Sequence, residues 1–304
     1  MEDKRSIGLM EKNAQRLKKY EQGRMSNSSL ILNYFKRIIK YVSLGNWGYA
    51  FYAFKRALIV AVTKKDDSKD RIAESMLDIP DSEKLVIYTV LFGNYDALKE
   101  PLYVTPNCDY YILTNQDVRA DSVWKKYPLE KFDEQVKGFS NLEKARFFKL
   151  HPHLLFPEYK YSMFIDANLQ MVTDMRPVFA QLEDNFIAIH NQPGRDCVYQ
   201  EATEIIVIGK AEKSEVMKQM MAYKKEGFPA YYGLFRTCVV VREHNSGQCK
   251  KLMELWWNEI NRFTKRDQLS FTYALWKMGL DKTAVSNLGY DIRTNPRFIE
   301  NVHI

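Results

Sequence analysis

Tyr159-Lys-Tyr-Ser-Met-Phe-Ile-Asp-Ala-Asn-Leu-Gln-Met-Val-Thr-Asp174 is an apolar run that ends abruptly at acidic and amide residues. Its first part is aromatic and β-branched, which predicts a buried or half-buried strand of five or six residues. Asp166 and Asn168 follow at i and i+2, so a carboxylate and an amide oxygen can face one hard cation such as Mn²⁺ or Mg²⁺. The commoner meaning of such a tripeptide is an Asx turn, in which both side chains bond local backbone.

The composition indicates a globular protein. The chain has 304 residues, of which 46% are hydrophobic and 13% aromatic, enough for one large domain or two smaller ones. Its four cysteines lie far apart, so neither a zinc knuckle nor a disulfide framework is indicated, and we expect a reducing, cytoplasmic compartment. The first residues lack the pattern of a secretory signal. The longest uncharged run in the N-terminal part, Tyr41 to Phe54, is 14 residues long, against about 20 for a transmembrane helix.

The basic charge is confined to one part of the chain. Residues 1–80 carry 16 Lys and Arg against 9 Asp and Glu, which accounts for the whole net charge of +7. Residues 81–304 are therefore neutral overall. A charge-balanced main body argues against a broad nucleic-acid-binding surface, which would need basic stripes on the folded domain.

The N-terminal region, residues 1–80, is predicted to be a basic helical appendage. Between Gly23 and Lys65 there is no acidic residue, and apolar side chains recur at helical spacing. Two short amphipathic helices, broken near Gly45, would place basic rims on anionic lipid headgroups at about 1 kcal/mol per basic side chain. A hairpin docked on the main domain or on a second subunit is an equally good interpretation. The main domain is predicted to span residues 81–304.

The main domain begins with a strand that leads into a turn. Leu85 to Phe92 is a continuous apolar run, and Gly93-Asn94-Tyr95-Asp96 ends it. A buried strand followed by such a loop is how many nucleotide-binding α/β domains begin, with the loop facing the ligand. No G-x-G-x-x-G is present, so a dinucleotide-binding fold is not indicated. Tyr110 to Thr114 predicts a second strand.

A capped helix precedes the Asp166 strand. Ser140-Asn-Leu-Glu143 is a capping box, and the helix should end before Pro152. On it Arg146 and Lys149 lie at i and i+3, hence on one face. Two cations beside a metal-binding corner suit the diphosphate of a sugar nucleotide; a solvated basic face is the alternative.

His151-Pro-His153 has a spacing known for zinc ligands. No acidic residue or histidine follows at a usual zinc spacing, and Pro152 has a simpler role as the end of the helix. Zinc is therefore the less favoured interpretation of this tripeptide.

Further strands and helices follow the Asp166 stretch. A strand at 186–190 delivers His190 to a polar loop that contains Arg195, and Glu201 follows on a helix starting near Cys197, although residues 205–208 could equally be strand. A helix at 213–226, a strand at 237–241 and a core-facing helix at 248–263 come next. The last predicted helix starts at Arg266-Asp267-Gln268. Asp267 there is an N-cap or, with Gln268, part of a cleft.

Taken in order, these motifs resemble a known family. They are the strand with Gly-Asn-Tyr-Asp at 88–96, Arg-x-x-Lys at 146–149, Ile-Asp-Ala-Asn at 165–168, His190 with Arg195 and Glu201, Gly233-Leu234, and Arg-Asp-Gln-Leu-Ser-Phe at 266–271. From about 84 to 280 the chain resembles the glycosyltransferase-like domain family, long catalogued as a domain of unknown function, with plant mucilage-related and bacterial surface-polysaccharide members. That family is similar to GT-A glycosyltransferases. The resemblance implies an α/β fold with a single GT-A-like, Rossmann-type mixed sheet flanked by helices.

The resemblance also implies a role for each motif. It implies donor binding at Thr89, Gly93 and Tyr95, a metal, Mn²⁺ or Mg²⁺, at Asp166 and Asn168, and a sugar-facing pair at Asp267 and Gln268. We further expect Arg146, Lys149 and Asp166 to contribute to donor binding, and an acceptor or sugar pocket at His190, Arg195, Glu201 and Gly233. The catalytic residues are expected to be Arg266, Asp267 and Gln268, with Asp267 either a base, as inversion would require, or, with Gln268, a holder of the sugar during retention. The chain departs from the Asp-x-Asp pattern of GT-A enzymes at Asn168, which halves the negative charge at the metal corner. The usual distal histidine ligand has two candidates, His244 and His303.

We therefore expect a glycosyltransferase that uses a nucleotide sugar, in particular a UDP-sugar, in surface-polysaccharide or capsule synthesis. Its acceptor would be a surface glycan or a lipid-linked oligosaccharide. The N-terminal helices would hold the enzyme at the inner face of the cell membrane. Two other classes stay open: a metal-dependent hydrolase of a lipid amide, which would need zinc at His151 and His153, and a non-catalytic glycan-binding protein.

Overall fold

A computed structural model describes residues 27–43, 47–62, 77–93, 96–293 and 295–301. Within them the protein is a mixed α/β fold with a helical hairpin before it, which confirms the expected fold class. The predicted division at residue 80 stays a prediction. No helix in these ranges is both long and apolar enough to cross a membrane.

The main sheet has seven strands in the order β3-β2-β1-β4-β7-β6-β8. Strand β7 runs antiparallel to both neighbours, β4 and β6, and the other pairs are parallel. The strands are β1 Leu85–Leu91, β2 Cys108–Thr114, β3 Lys125–Lys126, β4 Ser162–Ile165, β6 Ile187–Asn191, β7 Phe235–Arg242 and β8 Ser286–Asn287. Long runs of buried Val, Ile and Leu in β1 and β7 fit strands that are covered on both faces.

A second, two-stranded sheet lies directly after the β4 strand. It pairs β5 (Leu169–Met171) with β9 (Phe298–Glu300), antiparallel. The loop between β4 and β5 is the Asp166 turn, so the C-terminal part of the chain borders this turn.

Helices cover the sheet and complete two large apolar clusters, one on each face. A third cluster packs α6, α7 and α9 together. The helices of the main domain are α3 Asn141–Leu150, α4 Pro152–Leu155, α5 Arg176–Ala180, α6 Val198–Val207, α7 Lys213–Lys225, α8 Gly247–Arg262 and α9 Asp267–Lys277, and the hairpin consists of α1 Asn27–Ser43 and α2 Trp47–Val62.

Local sequence signals give several of these elements directly. The capping box is present as predicted: the Ser140 hydroxyl accepts from the Glu143 amide, and the Glu143 carboxylate accepts from the Ser140 amide. The α3 helix ends at His151, before Pro152, and Pro152 then begins the short α4. The ambiguous stretch 205–208 is not a strand: Ile205 belongs to α6, where it packs in the third cluster.

Candidate active site

One edge of the sheet gathers most of the predicted polar residues. Strands β1 and β4 are parallel and end together, since Tyr88 pairs with Phe164. Strand β7 begins where β4 ends, because the two are antiparallel and Ile165 pairs with Val239. Ligands of open α/β sheets bind outside the carboxyl ends of parallel strands, so this edge is the candidate active site.

The Asp166 turn is held by backbone bonds and leaves its carboxylate accessible. The Asp166 amide donates to the Cys238 carbonyl at 2.9 Å, and the Leu169 amide donates to the Asp166 carbonyl at 2.9 Å. The Asp166 side chain is 40% exposed, and its Oδ1 lies 4.0 Å from Nζ of Lys149. The side chain of Asp166 thus faces the open edge beside a buried cation.

Lys149 and Asp267 form a buried ion pair at the centre of the site. Lys149 Nζ lies 2.5 Å from Asp267 Oδ2, with the side chains 1% and 7% exposed. Thr237 donates its hydroxyl to the same oxygen at 3.0 Å, and Arg146 Nη1 is 3.7 Å away from it. Burial would raise the pKa of Asp267, but the charges of Arg146 and Lys149 outweigh it and hold the pKa well below its usual range.

The backbone carbonyl of Lys149 is also fixed. It accepts hydrogen bonds from the Tyr88 hydroxyl at 2.7 Å and from Arg242 Nη1 at 2.9 Å, and Nζ lies 4.5 Å from the centre of the Phe164 ring. Lys149 is therefore locked in position from both of its ends. Predicting two cations on one helix face was correct in geometry, because Arg146 and Lys149 both contact Asp267.

Gln268 and Arg266 flank Asp267 in different ways. The Gln268 amide group donates to the Phe235 carbonyl at 2.8 Å and to Gln192 Oε1 at 3.0 Å, which ties α9 to the β6 and β7 strands. Arg266 is half-buried, and its Nε is buried without a hydrogen-bond partner in the part of the chain that the structure describes. A guanidinium in this state has donors to offer to a ligand.

Two further cations at this edge were missed by the sequence analysis. Lys210 lies just after α6, where Gly209 adopts a positive φ of 65°. Desolvation and then the charges of Arg266 and Arg236 lower the pKa of Lys210 to about 8, although the residue as a whole is exposed. Among the described residues its ammonium makes no hydrogen bond or ion pair. Arg236, at the start of β7, pairs with Asp291 at 3.1 Å.

These cations surround one point of the sheet. The thiol of Cys238 on β7 interacts electrostatically with Arg236, Asp166, Glu300 and Lys149. Its pKa is raised to about 12, chiefly by burial. We refer to the five basic residues at this edge as the cation cluster: Arg146, Lys149, Lys210, Arg236 and Arg266. Asp267 and Asp291 pair with Arg146, Lys149 and Arg236. The positive charge of the other two members of the cluster suits a phosphate-bearing ligand.

The Asp166 turn brings few candidate metal ligands together among the described residues. Within the ranges that the structure describes, no three His, Cys, Asp or Glu side chains converge as metal ligands. Asn168 is buried and donates its amide N–H to the Asn301 carbonyl at 3.2 Å, which leaves its Oδ1 as the atom that can bind a cation. Asp166 and Asn168 can supply two oxygens, fewer than the six that Mg²⁺ prefers.

The histidine candidates for a third ligand do not join this corner in the described structure. His244 follows the far end of β7, is buried, and contacts the Phe156 carbonyl through Nε2 at 2.8 Å. Desolvation lowers the pKa of His244 to about 4. The prediction of His244 as a metal ligand beside Asp166 is wrong, because β7 runs away from that turn. His303 lies outside the described residues.

A family model described as "TOD1/MUCI70, glycosyltransferase-like domain" matches residues 139–303, which is more than half of the chain. The chain belongs to this family. The resemblance inferred from the motifs is thereby confirmed, although the matched span begins after the predicted 84 and extends beyond 280.

The TOD1/MUCI70 domain has a plant relative of much greater length. The chain is 33% identical over 139 residues to the probable hexosyltransferase MUCI70 of Arabidopsis thaliana; the match covers 41% of this chain and 23% of the plant protein. The chain therefore spans less than a quarter of that relative.

Solved glycosyltransferase structures show weak similarity to the TOD1/MUCI70 chain. The WbbM bifunctional glycosyltransferase covers 70% of this chain and 40% of its own length, at 12% identity and a TM-score of 0.43. Mouse xyloside xylosyltransferase 1 covers 67% and 84%, at 10% identity and a TM-score of 0.39. The galactosyltransferase LgtC, solved with donor and acceptor sugar analogs, covers 66% and 72%, at 11% identity and a TM-score of 0.36.

The family match includes the whole cation cluster but not the first strands. Thr89 on β1 is buried, and its hydroxyl has no partner among the described residues. Gly93 has a positive φ of 72°, and its amide donates to Asn115 Oδ1 at 3.1 Å. Tyr95, the third donor-binding prediction of this loop, lies outside the described residues. The roles of all three stay predictions.

Of the four residues predicted to form the acceptor pocket of the TOD1/MUCI70 domain, Arg195 and Glu201 contact each other, and His190 and Gly233 contact other residues. Arg195 Nη2 lies 2.5 Å from Glu201 Oε2, and both side chains are 7% exposed. His190 is fully buried, its Nε2 accepts from the Asn295 amide at 2.9 Å, and desolvation lowers its pKa to about 3. The Gly233 amide donates to the Asp196 carbonyl at 3.0 Å. The role of these residues toward an acceptor stays a prediction.

The two histidines considered for zinc meet one carboxylate. His151 Nε2 and His153 Nε2 each lie 3.5 Å from Glu254 Oε1 on α8. The sequence analysis missed Glu254, about 100 residues downstream. Desolvation lowers the pKa of His153 to about 4, and no metal-binding group of three is present in the described part of the TOD1/MUCI70 domain. Nothing in this geometry favours the hydrolase alternative.

Proposed function

We propose that this chain is a glycosyltransferase that transfers a hexose from a nucleotide sugar to the hydroxyl of a surface glycan or lipid-linked oligosaccharide. The family supports the reaction class. The observation that carries the proposal is the cation cluster, in which Lys210 and Arg266 form no ion pair within the described chain. A nucleoside diphosphate supplies two or more negative charges of matching position and sign.

The chemistry would rest on electrostatic stabilisation of the leaving group. The bond between the anomeric carbon and the donor phosphate oxygen breaks, and the electron pair leaves with the nucleoside diphosphate. The oxygen of the acceptor hydroxyl bonds the anomeric carbon, and its proton passes to an oxygen of the departing diphosphate. Arg146, Lys149, Lys210 and Arg266 would stabilise the charge that develops on the diphosphate. Because the edge is preformed and Lys149 is locked in place, little reorganisation is needed in the transition state.

Asp267 is better suited to positioning than to accepting a proton. Its Oδ2 is bonded to Lys149 and Thr237, and its pKa is held far below neutrality by the neighbouring cations. A carboxylate in this state is a poor general base. We infer that Asp267 orients Lys149 toward the donor, while Gln268 fixes the start of α9.

We also propose that Mn²⁺ or Mg²⁺ binds together with the nucleotide. Asp166 and Asn168 would be its protein ligands, and the donor phosphates would complete its coordination. When bound, the ion would add positive charge beside the diphosphate. Asn301, which contacts Asn168, precedes the untested candidate His303 by two residues in the sequence.

A thermal-shift screen tests the proposal. UDP, GDP, CMP and their sugar conjugates are added with Mn²⁺, with Mg²⁺ or with EDTA. We expect one nucleotide, a UDP derivative in the first instance, to raise the melting temperature, and the shift to fall in Lys210→Ala and Arg266→Ala but not in the neighbouring control Lys213→Ala. Asp166→Ala and Asn168→Ala separate a metal-assisted shift from a metal-independent one.

Transfer activity is then measured with the nucleotide that binds. Full activity in Asp166→Ala, Lys210→Ala and Arg266→Ala would contradict the assigned site. If the protein binds oligosaccharides but no nucleotide raises its melting temperature, it is a glycan-binding protein instead.

A further inference from the structure

The N-terminal hairpin exposes a large amount of apolar surface. In α1 and α2, eight large apolar side chains are between 39% and 70% exposed. They form one stripe on each helix, spaced by three or four residues: Leu32, Phe35, Ile39 and Val42 on α1, and Trp47, Phe51, Phe54 and Leu58 on α2. Apolar surface of this extent on a soluble protein marks an interaction site.

The hairpin also has a buried side, which attaches it to the main domain. Tyr34, Ala53 and Ala57 are buried in one cluster, against which Ile31, Ile38 and Tyr290 pack. The guanidinium of Arg293 lies 5.1 Å from the centre of the Tyr34 ring. Arg293 pairs with Asp291, and Asp291 pairs with Arg236 of the cation cluster. The hairpin is therefore docked next to the candidate active site.

Helix geometry places the two exposed stripes on the same side. At about 100° per residue, the exposed stripe of each helix lies roughly a quarter turn from its buried stripe, in the same rotational sense. The helices are neighbours joined by a connection of three residues, as in an antiparallel hairpin. Because the buried stripes of the two helices face each other, both exposed stripes lie on the same side of the hairpin.

The charge around this apolar surface is of one sign. Lys36 and Lys55 are exposed and lie on the outer flank of the stripes, away from the buried residues. The segment from Gly23 to Lys65 contains no acidic residue. An apolar face with a basic rim is typical of a helix that lies in the interface of an anionic membrane. A protein partner of comparable apolar surface would not require the exclusion of acidic residues.

We propose that the hairpin binds the surface of an anionic lipid bilayer through these two stripes, with Lys36 and Lys55 at the headgroups, and holds the cation-cluster edge beside the membrane. Neither helix spans the bilayer. The inner face of a cell membrane, which is rich in anionic lipid, would be such a surface. This inference does not depend on the glycosyltransferase proposal, since vesicle binding can be measured without substrate.

The first test is flotation of the full chain with phosphatidylcholine vesicles that contain or lack phosphatidylglycerol. We expect binding to the anionic vesicles, weakened by salt, and a blue shift of Trp47 emission that Trp47→Phe abolishes. The triple variant Phe35→Ser, Phe51→Ser, Phe54→Ser should lose binding. The matched control, Leu102→Ser, Val207→Ser, Met221→Ser, removes equally exposed apolar groups elsewhere and should bind as the wild type does.

Charge reversal separates the basic rim from the apolar stripes. Lys36→Glu with Lys55→Glu should weaken binding at least 25-fold, from roughly fivefold per basic side chain removed, whereas Lys218→Glu with Lys224→Glu on α7 should not. Circular dichroism and the melting temperature confirm that each variant is folded. Equal vesicle binding by the triple variant would overturn the proposal. So would a wild-type dimer that binds no vesicles and dissociates in the triple variant, because the stripes would then join two copies of this chain.

Discussion

Lys149 and Lys210 are both lysines at the same edge of the sheet, yet their surroundings are opposite. Lys149 is 1% exposed and contacts the carboxylate of Asp267 at 2.5 Å. Lys210 is exposed, has no ion pair in the described chain, and has two arginines as neighbours that lower its pKa. The first lysine is part of the architecture of the edge. We propose that the second binds a ligand, and stability and binding measurements should separate the two.

The largest expected effect is on stability at the buried pair. Asp267→Ala leaves the ammonium of Lys149 buried without its carboxylate, which should lower the free energy of unfolding by about 3–5 kcal/mol. Urea denaturation measures it. The control is Glu134→Ala, which removes the exposed partner of Lys137 and should cost less than about 1 kcal/mol. Equal losses in the two variants would mean that the Lys149–Asp267 pair has no structural role.

At the unpaired cations the effect should be on binding. Arg266→Ala should leave the free energy of unfolding within about 0.5 kcal/mol of the wild type. Its affinity for the nucleotide identified by thermal shift should fall about tenfold or more, because a hydrogen bond to a charged group is worth about 1.5–3 kcal/mol. Calorimetric titration gives the affinity, and Arg262→Ala on α8 is the control. A strong loss of stability without a loss of affinity would assign Arg266 to the architecture, like Lys149.

The pH dependence of binding sharpens the same contrast. The pKa of Lys210 is lowered to about 8, so this lysine is charged below pH 8 and loses its proton above it. Nucleotide affinity should therefore fall several-fold as the pH rises from 7 to 9. In Arg266→Ala the fall should move to higher pH, because one of the neighbouring charges that lower the pKa is gone. An unchanged profile in Lys210→Ala would show that another group is responsible.

The smallest effect concerns the backbone of the donor loop. Gly93 has a positive φ, and a Cβ there would lie 2.9 Å from Nδ2 of Asn141 at the start of α3. Gly227 also has a positive φ but has open space around it. In both Gly→Ala variants, backbone strain should lower the free energy of unfolding by about 1 kcal/mol. Thermal denaturation should show a somewhat larger loss of stability in Gly93→Ala than in Gly227→Ala. Equal losses in the two variants would show that the Asn141 side chain moves aside at no cost in free energy.

Sequence alone was sufficient where the signal is local. The capping box at Ser140, the stop at Pro152, and the alternation before Asp166 each depend on residues that are neighbours in the chain. The helix face with Arg146 and Lys149 followed from spacing. The family was reached from the order of short motifs, none of which is specific by itself.

The residues that sequence missed depend on long-range packing. Lys210 reaches the site because Gly209 ends α6 in a left-handed conformation beside α9, and no pattern around it indicates a ligand. Asp267 was found, but its main partner lies 118 residues away, so its burial could not be seen. Asn168 was expected to bind metal or local backbone, and the contact of its side-chain Nδ2 with Asn301, 133 residues later, could not be predicted from the sequence. Glu254 escaped notice beside His151 for the same reason.

The pairing of β5 with β9 has a consequence for synthesis of the protein. Residues 298–301 border the Asp166 turn, and a ribosome makes them last among the described residues. The candidate donor site therefore cannot be complete before residues 298–301 have left the ribosome, even when the strands of the main sheet have already done so. A nascent chain would present the hairpin to a membrane before it could bind a nucleotide, so attachment would precede activity in time.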